Sequence, residues 1–306
     1  MDAPEVSVLV PVRDRRERML RCLDALLAQD HPSYEIVVLD NESADGTGDA
    51  CRAVAARSRV PVRVERVSGT LGRVRNTGAR LARGRALAFT DSDCLPAPGW
   101  LTAGVRALDA DPGCGVVCGR TIPEHPPQRP WAAYVAVPEF SWRFESCNVF
   151  FRADAFRDSA GFDEVVGDGW EDTAAGFDLL RRGWRAGWAP DALVRHDVTY
   201  PGFWWKVRRE QRQRNLAGVV GRYPEIRRRL LFGRVFFDRR SAAFFGAAVG
   251  LALGRRVPAA RLLALPYVPF FLRPLRPLRI VQTAIYDASL HVALLRGALR
   301  YRRFLL

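Results

Sequence analysis

The sequence has few of the residues that build structural zinc sites and disulfide frameworks. Its 306 residues include six cysteines and four histidines, and no two cysteines form a CxxC pair. Structural zinc sites need closely spaced cysteine or histidine ligands, and disulfide frameworks are typical of short secreted chains. We therefore expect reduced, buried thiols and neither kind of site.

Long hydrophobic runs are also missing. The uncharged apolar stretch at residues 241–253 has only 13 residues, whereas a helix that spans a bilayer needs about 20. The N-terminus lacks the basic start and apolar run of a signal peptide. We therefore expect the active part of the chain to be cytoplasmic.

Positive charge is almost entirely arginine, and it is concentrated in the last third of the chain. Lys206 is the only lysine. Residues 1–199 carry 25 arginines and 29 acidic residues, whereas residues 200–306 carry 22 basic and 4 acidic residues. The net charge of +14 alone would suggest a nucleic-acid binder. Its uneven distribution favours an anionic membrane surface instead, so we expect no nucleic-acid partner.

Strands and helices alternate in the first ninety residues. Short β-branched runs predict buried strands at residues 6–12, 35–39, 62–67 and 85–90. Helical patterns at residues 15–29, up to residue 56, and at 76–82 separate them. This alternation predicts an α/β fold with a largely parallel central sheet. Ligands of such sheets bind at the carboxyl ends of the strands.

Acidic side chains follow three of the predicted strands. Asp14 and Asp40 come after the first and second strands, and Asp91 and Asp93 come after the fourth. Two neighbouring carboxylates repel each other unless a cation lies between them. Mg²⁺ or Mn²⁺ suits such a site, since it binds one or two carboxylates and completes its shell with phosphate oxygens and water. An isolated Asp-x-Asp pair is more often a pair of solvated loop acids, so the surrounding motifs have to decide whether this pair binds a metal.

A series of short motifs, in order along residues 5–200, resembles family 2 glycosyltransferases. They lie at residues 8–14, 28–32, 35–47, 72–78, 89–93, 98–101, 161–164, 170–172, 182–184 and 190–196. The resemblance implies the GT-A fold, a nucleotide diphosphate sugar as donor, a divalent metal and inversion at the anomeric carbon.

The resemblance also implies donor-binding residues. They are Pro11, Arg13, Asp14, Asp40, Asn41, Arg75, Asn76, Asp91 and Ser92. The family commonly has an aromatic residue where Arg13 stands and a second acid where Asn41 stands. A guanidinium can stack on a base or reach phosphate, and an amide can both donate and accept, so the identity of the base stays open.

For the metal, the resemblance implies Asp93 as a ligand, with Asp91 facing the ribose or the metal's water shell. His196 follows a short apolar run, and a neutral imidazole can join a divalent site. The alternative for His196 is a structural loop histidine.

For the transfer step, the candidates lie at residues 170–172 and 147–148. We expect Asp172 to be the general base and Glu171 to bind a sugar or acceptor hydroxyl. Both could instead be acids that favour the first turn of a helix. Trp170 could stack on a sugar, and Cys147 and Asn148 align with a family segment that lines the sugar pocket. An inverting reaction needs no nucleophile, so Cys147 is interpreted as part of the pocket wall.

We therefore predict two parts of the chain. Residues 1–200 form a GT-A catalytic domain, with a nucleotide-sugar and metal half at 1–120 and an acceptor half at 121–200. Residues 201–306 form a basic helical tail whose last helix gathers apolar residues on one face, at Val281, Ile285, Ala288, Val292, Leu295 and Leu299. Such a tail is typical of an interfacial membrane element. The alternative is a helical domain that packs on the catalytic domain or forms a dimer, and the oligomeric state stays open.

The predicted function is a metal-dependent inverting hexosyl- or deoxyhexosyltransferase at the inner face of the cell membrane. Its acceptor would be a glycan or a lipid-linked molecule, in the synthesis of cell-envelope polysaccharide or glycolipid. Two alternatives are a nucleotidyltransferase, which would use a nucleoside triphosphate, and a non-catalytic protein that binds nucleotide sugars.

Overall fold

The computed structural model describes residues 3–165, 169–272 and 277–306. The chain divides into two compact units, Met1–Tyr200 and Pro201–Leu306. The division falls where the sequence becomes strongly basic. The roles assigned to the two parts remain predictions.

The first unit is built on a mixed sheet, in which the described residues form eight strands. They are β1 (Val6–Val12), β2 (Tyr34–Asn41), β3 (Val62–Val67), β4 (Ala86–Thr90), β5 (Cys94–Pro96), β6 (Cys114–Pro123), β7 (Asn148–Arg152) and β8 (Arg185–His196). Their order in the sheet is β3-β2-β1-β4-β7-β6-β8-β5. The four strands predicted from the sequence are β1 to β4, and they run parallel to one another.

Burial on both faces explains the composition of the central strands. Every residue of β1 is buried, and Val6 is in register with Tyr34 of β2 and Ala86 of β4. A parallel strand covered on both faces has to be apolar throughout, which is why β1 is a continuous run of apolar residues with one serine. Ser7 donates to the buried carboxylate of Glu35, which also binds Arg83.

Six helices flank this sheet within the described part of the first unit. They are α1 (Arg16–Leu27), α2 (Thr47–Ala55), α3 (Leu71–Leu81), α4 (Trp100–Asp109), α5 (Ala153–Asp158) and α6 (Glu171–Arg181). Helix α3 begins five residues earlier than residue 76, where the sequence pattern placed its start. Thr70 supplies the N-cap, since its hydroxyl accepts from the N–H of Arg73.

The second half of the sheet is partly antiparallel, and this brings distant residues together. Strand β7 runs antiparallel between β4 and β6, and β5 pairs antiparallel with the end of β8. The β5–β8 register places Cys94 opposite His196. The acids that follow β4 therefore lie beside a histidine about a hundred residues away in sequence.

The second unit is helical in its described residues. Its α-helices are α7 (Phe203–Glu210), α8 (Leu216–Arg222), α9 (Ile226–Leu230), α10 (Arg239–Leu253), α11 (Val268–Leu272) and α12 (Pro277–Tyr301), with 3₁₀ helices at Gln211–Asn215 and Pro258–Tyr267. The chain changes from α-helical to 3₁₀ geometry after Glu210, at the end of α7. Within the described ranges, no helix combines the length and the apolar character needed to cross a membrane.

Candidate active site

The loops after β1 and β2 hold each other through Asp14. Its carboxylate accepts from the N–H of Ala44 at 2.7 Å, and its own N–H donates to the hydroxyl of Ser43 at 3.0 Å. Asp14 has φ +50°, a left-handed conformation that aspartate tolerates better than most residues. Asp14 therefore links the two loops of the predicted donor site by hydrogen bonds.

Asp40 and Asn41 lie at the end of β2. The Asp40 carboxylate is buried and accepts from the N–H of Ser43 at 3.0 Å. Gly48 leaves room for it, because a Cβ there would lie 2.4 Å from the second oxygen of Asp40. The Asn41 side chain donates to the carbonyl of Gly69, while its Oδ1 is buried and has no hydrogen-bond partner among the described residues. A buried acceptor without a donor is costly, so Asn41 suits a ligand that brings an N–H or O–H.

Pro11 and Arg13 differ in what they can offer a donor. Pro11 is buried within β1, opposite Leu39. The side chain of Arg13 is exposed and lies 3.7 Å from the Asp14 carboxylate. Arg13 can therefore swing toward a base or phosphate, whereas Pro11 contributes the shape of the strand.

Arg75 is the central cation of the site. Its side chain is buried, and its two terminal nitrogens donate to Asp91 at 2.9 Å and to Glu171 at 2.8 Å. Burial lowers the pKa of Arg75, but the carboxylates of Asp91, Glu171 and Asp172 outweigh it and raise the pKa. The planar guanidinium thus stays charged and joins the end of β4 to the start of α6.

Glu171 has both oxygens occupied. One accepts from Arg75, and the other accepts from the N–H of Gly169 at 2.7 Å. In this geometry Glu171 orients Arg75. The predicted binding of a sugar or acceptor hydroxyl by Glu171 stays a prediction.

Asp172 has the properties expected of a general base. Its Oδ2 accepts from the N–H and the hydroxyl of Ser146, at 3.2 and 3.4 Å. Burial, and then the charge of Glu171, raise the pKa of Asp172 to about 7. A carboxylate with a pKa near the working pH can accept a proton and release it again.

Asp93 and His196 form the candidate metal centre. The His196 Nδ1 lies 2.8 Å from the carbonyl of Asp197, which can only accept, so Nδ1 carries the proton. In the neutral imidazole Nε2 is then the free ligand atom; it lies 3.7 Å from Asp93 Oδ1, and the Cys94 sulfur completes a group of three possible ligand atoms. Burial raises the pKa of Cys94 well above the ordinary thiol value. A protonated thiol is a poor ligand for a hard cation, which leaves the carboxylate and the imidazole.

A cation of the protein already lies against Asp93. Arg15 Nη1 donates to Asp93 Oδ2 at 2.5 Å. Asp91 is partly exposed and bonds Arg75, and Ser92 between the two acids is buried. The chain therefore neutralises both carboxylates of the Asp-x-Asp pair with arginines.

Two of the predicted ligand-binding residues hold the fold together in this structure. Asn76 donates to the Phe162 carbonyl and the Glu164 carboxylate, and it accepts from the Phe162 N–H. Asn148 accepts from the indole N–H of Trp100 and donates to the carbonyls of Arg120 and Ala192. Both N–H groups of each amide are bonded within the fold, and the predicted roles of Asn76 and Asn148 toward a donor or a sugar stay predictions.

Trp170 and Cys147 differ in their access to a ligand. Trp170 caps α6 with φ +76°, and the guanidinium carbon of Arg143 lies 5.4 Å from the centre of its ring. Cys147 is buried, and the hydroxyl of Thr121 lies 3.8 Å from its sulfur. Its packing is that of a wall residue.

Sequence reasoning missed three residues of this site. Arg15 binds Asp93, and Arg143 lies over Trp170. Glu145 has a buried Oε2 with no hydrogen-bond partner in the described part of the chain, and its charge also raises the pKa of Asp172. The only sequence signal for Glu145 is its position just before Ser146 and Cys147, and Arg15 merely looks like the start of a helix.

Comparison with known sequences identifies the family. The sequence model of glycosyl transferase family 2 matches residues 7–159, and that of glycosyl transferase family group 2 matches residues 87–297. Glycosyltransferase AglE of Haloferax volcanii is 37% identical over 116 residues, which are 37% of each chain. Validoxylamine A glucosyltransferase of Streptomyces hygroscopicus subsp. jinggangensis is 29% identical over 221 residues, with 59% of this chain and 52% of the relative covered. The chain spans about half or less of the curated relatives that it matches.

Solved structures with a similar fold cover nearly the whole chain. The mannosyltransferase PcManGT of Pyrobaculum calidifontis, in complex with GDP-Man and Mn²⁺, has a TM-score of 0.66 and 23% identity, covering 96% of this chain and 88% of that chain. Residues 1–349 of S. aureus TarS give a TM-score of 0.52 and 17% identity, covering 98% and 92%. These similarities confirm the predicted GT-A fold. Because the family 2 model matches half of the chain, the protein belongs to glycosyltransferase family 2.

Proposed function

We propose that the protein is an inverting glycosyltransferase that moves a hexosyl or deoxyhexosyl group from a nucleotide diphosphate sugar to an acceptor hydroxyl. One observation carries the proposal: buried Arg75 joins Asp91, at the donor edge of the sheet, to Glu171, the neighbour of Asp172. A fixed cation between a diphosphate site and a carboxylate base is the arrangement that a displacement at the anomeric carbon requires.

The donor side is supported by the loops after β1 and β2. The unpaired acceptor of Asn41 suits an N–H of the base, and the exposed guanidinium of Arg13 suits base stacking or phosphate. Asp14 and Asp40 keep the two loops in place. The bound nucleotides in the PcManGT and TarS structures are GDP-Man, UDP-GlcNAc and UDP.

Asp93 and His196 would hold a divalent ion, with Asp91 reaching it directly or through water. The donor set fits, since the unprotonated Nε2 of His196 faces the Asp93 carboxylate and that carboxylate already attracts a cation. When bound, Mg²⁺ or Mn²⁺ supplies positive charge for the departing diphosphate. Arg15 binds the other oxygen of Asp93, so its positive charge would oppose the binding of the ion.

The transfer is a single displacement. The acceptor oxygen forms a bond to the anomeric carbon while the bond from that carbon to the diphosphate oxygen breaks. The electron pair leaves with the nucleotide diphosphate, and the acceptor proton passes to the carboxylate of Asp172. Arg75 balances the charge that develops, and Glu171 fixes its orientation.

The acceptor side is supported by Glu145 and Trp170. The buried, unpaired oxygen of Glu145 is available to an acceptor hydroxyl near Asp172. The ring of Trp170 offers an apolar face for a sugar, beside the guanidinium of Arg143. We infer a glycan or lipid-linked acceptor at the inner face of the cell membrane, in cell-envelope polysaccharide or glycolipid synthesis. The basic second part of the chain supports this placement.

The proposal is tested by release of nucleotide diphosphate from UDP-, GDP- and dTDP-sugars with Mn²⁺. Wild type is compared with Asp172→Asn and with Asp154→Asn. Asp154→Asn is the control, because Asp154 is an exposed acid of the same unit. We expect a loss of a hundredfold or more for Asp172→Asn only. Unchanged release in Asp172→Asn would overturn its role as the base. Pyrophosphate release from a nucleoside triphosphate would point to a nucleotidyltransferase, and binding without release to a non-catalytic protein.

A further inference from the structure

The last helix of the second unit turns its apolar side outward. On α12, the residues predicted to form one apolar face are all exposed, and Leu278 extends the same row. Their positions alternate in steps of three and four: Leu278, Val281, Ile285, Ala288, Val292, Leu295 and Leu299. The exposed fraction reaches 55% at Val281 and 80% at Leu299. Soluble helices normally bury such a row against their own core.

The opposite side of α12 is buried, and it mixes polar with apolar residues. Asp287 is buried and accepts from Arg240 of α10 and from the hydroxyl of Tyr267. His291 is also buried, and its Nε2 lies 3.0 Å from the carbonyl of Ser241. Ala293 and Leu294 complete the packed side. A network of this kind fixes the rotation of the helix, so the apolar row cannot turn inward without leaving buried polar groups unpaired.

The same mixture of exposed leucines and arginines recurs around the end of α10 and the 3₁₀ helix that follows. Leu251 and Leu253 are exposed at the end of α10, and Leu262 and Leu265 are exposed in the 3₁₀ helix. Exposed arginines lie between them, at Arg255, Arg256 and Arg261. Separate apolar patches of this size on one small unit need a partner.

The charge of this region decides between a second copy of the chain and a lipid surface. From residue 239 onward the sequence has twelve arginines and one acid, Asp287, which is already bound to Arg240. Two copies paired along the α12 row would bring arginines together, since Arg296 and Arg300 would meet their counterparts in a parallel pair or Arg279 in an antiparallel pair. The sequence of this region has no acid besides Asp287 to neutralise them. Anionic headgroups supply that charge, while the acyl boundary takes up the apolar row.

We propose that the exposed row of α12 is a membrane-docking surface that lies in the interface of an anionic bilayer with its arginines on the headgroups. This surface would be the part of the chain that binds the membrane, and its biological role rests on the membrane placement in the proposed function. The helix would lie along the membrane and not cross it, because its other side is packed within the second unit around buried Asp287 and His291.

The test is co-sedimentation of the full chain with vesicles of phosphatidylglycerol and phosphatidylcholine, or of phosphatidylcholine alone. We expect wild type to bind the anionic vesicles. The variant Val281→Gln/Val292→Gln/Leu299→Gln should bind at least tenfold more weakly and unfold at the same temperature, since the three side chains are exposed and glutamine favours helices. The variant Arg296→Gln/Arg300→Gln should lose about tenfold on anionic vesicles and little on neutral ones.

Matched controls come from the first unit. Val165→Gln removes an exposed valine, and Arg106→Gln/Arg157→Gln removes two exposed arginines. Neither should change binding. The proposal would be overturned if wild type did not bind anionic vesicles, or if the α12 variants bound them as well as wild type. It would also be overturned if the triple variant changed from dimer to monomer while its vesicle binding stayed the same. Nucleotide-sugar hydrolysis without vesicles tests the proposed chemistry separately, so the two proposals can fail independently.

Discussion

Replacing Asp172 with asparagine should stabilise the fold and abolish most of the transfer activity. The folded chain raises the pKa of Asp172 from 3.8 to about 7. The fold therefore favours the protonated carboxyl, and ionising it costs free energy. A rise of this size corresponds to about 4 kcal/mol when the group is fully ionised, at about 1.4 kcal/mol for each pH unit.

Asparagine keeps the shape of the side chain and removes the charge. Either the N–H of Ser146 or that of Thr173, both now bonded to Asp172, would face the amide nitrogen of the new side chain. The lost hydrogen bond offsets about 1 kcal/mol of the stabilisation. We therefore expect the variant to be more stable by about 3 kcal/mol at pH 8. Transfer should fall by 10² to 10⁴, the contribution typical of a general base.

The dependence on pH gives the sharper test. A carboxyl whose pKa is raised on folding stabilises the fold fully below its unfolded pKa, and this contribution is lost as the pH rises toward the folded pKa. The stability difference between Asp172→Asn and wild type should therefore grow from about pH 4 to pH 7 and then level off. Urea unfolding at pH 5, 6, 7 and 8 measures it, with Asp154→Asn as an exposed control that should change little. A difference independent of pH, or a less stable variant at pH 8, would refute the reasoning.

Three further outcomes are expected. Arg75→Lys should lower the free energy of unfolding in urea by about 3 kcal/mol and lower the rate of sugar-nucleotide turnover at least a hundredfold. The reason is that an ammonium cannot bridge two carboxylates as a planar guanidinium does. Near-normal values would show that the bridge is dispensable. Arg15→Gln should raise the affinity of the nucleotide-free chain for Mn²⁺ about tenfold by calorimetry, since the guanidinium competes for Asp93; unchanged affinity would exclude that competition. The rate of transfer should fall about tenfold per pH unit below pH 7, where Asp172 becomes protonated, and a flat profile down to pH 5 would contradict its role as base.

The family comparison and the proposed chemistry depend on different features of the chain. Family membership follows from matched sequence over residues 7–159 and is independent of any one contact. The transfer mechanism depends on a few distances around Arg75, and single substitutions test it. A failed prediction for Asp172 would thus change the mechanism and leave the family and the fold standing.

The motifs indicated the GT-A fold through their resemblance to family 2. The sequence by itself determined the alternation of strands and helices and the positions of the acids at the strand ends. These features are local: a β-branched run and the polar residues after it occupy neighbouring positions, so pattern alone locates them. The sequence also predicts that the tail is basic and amphipathic, since charge and helical periodicity are properties of the sequence.

Only the tertiary structure decided which side chains meet. Arg75 reaches Glu171 across 96 residues of sequence, and the side chain of Asn148 accepts from the indole N–H of Trp100, and neither contact could be read from the sequence. The rotation of α12 was likewise set by the pairing of Asp287 with Arg240 on another helix, which keeps Asp287 buried and leaves the apolar row exposed. The physical reason is that a hydrogen bond between distant residues depends on the whole path of the chain, whereas the pattern of a strand or helix depends only on its own residues.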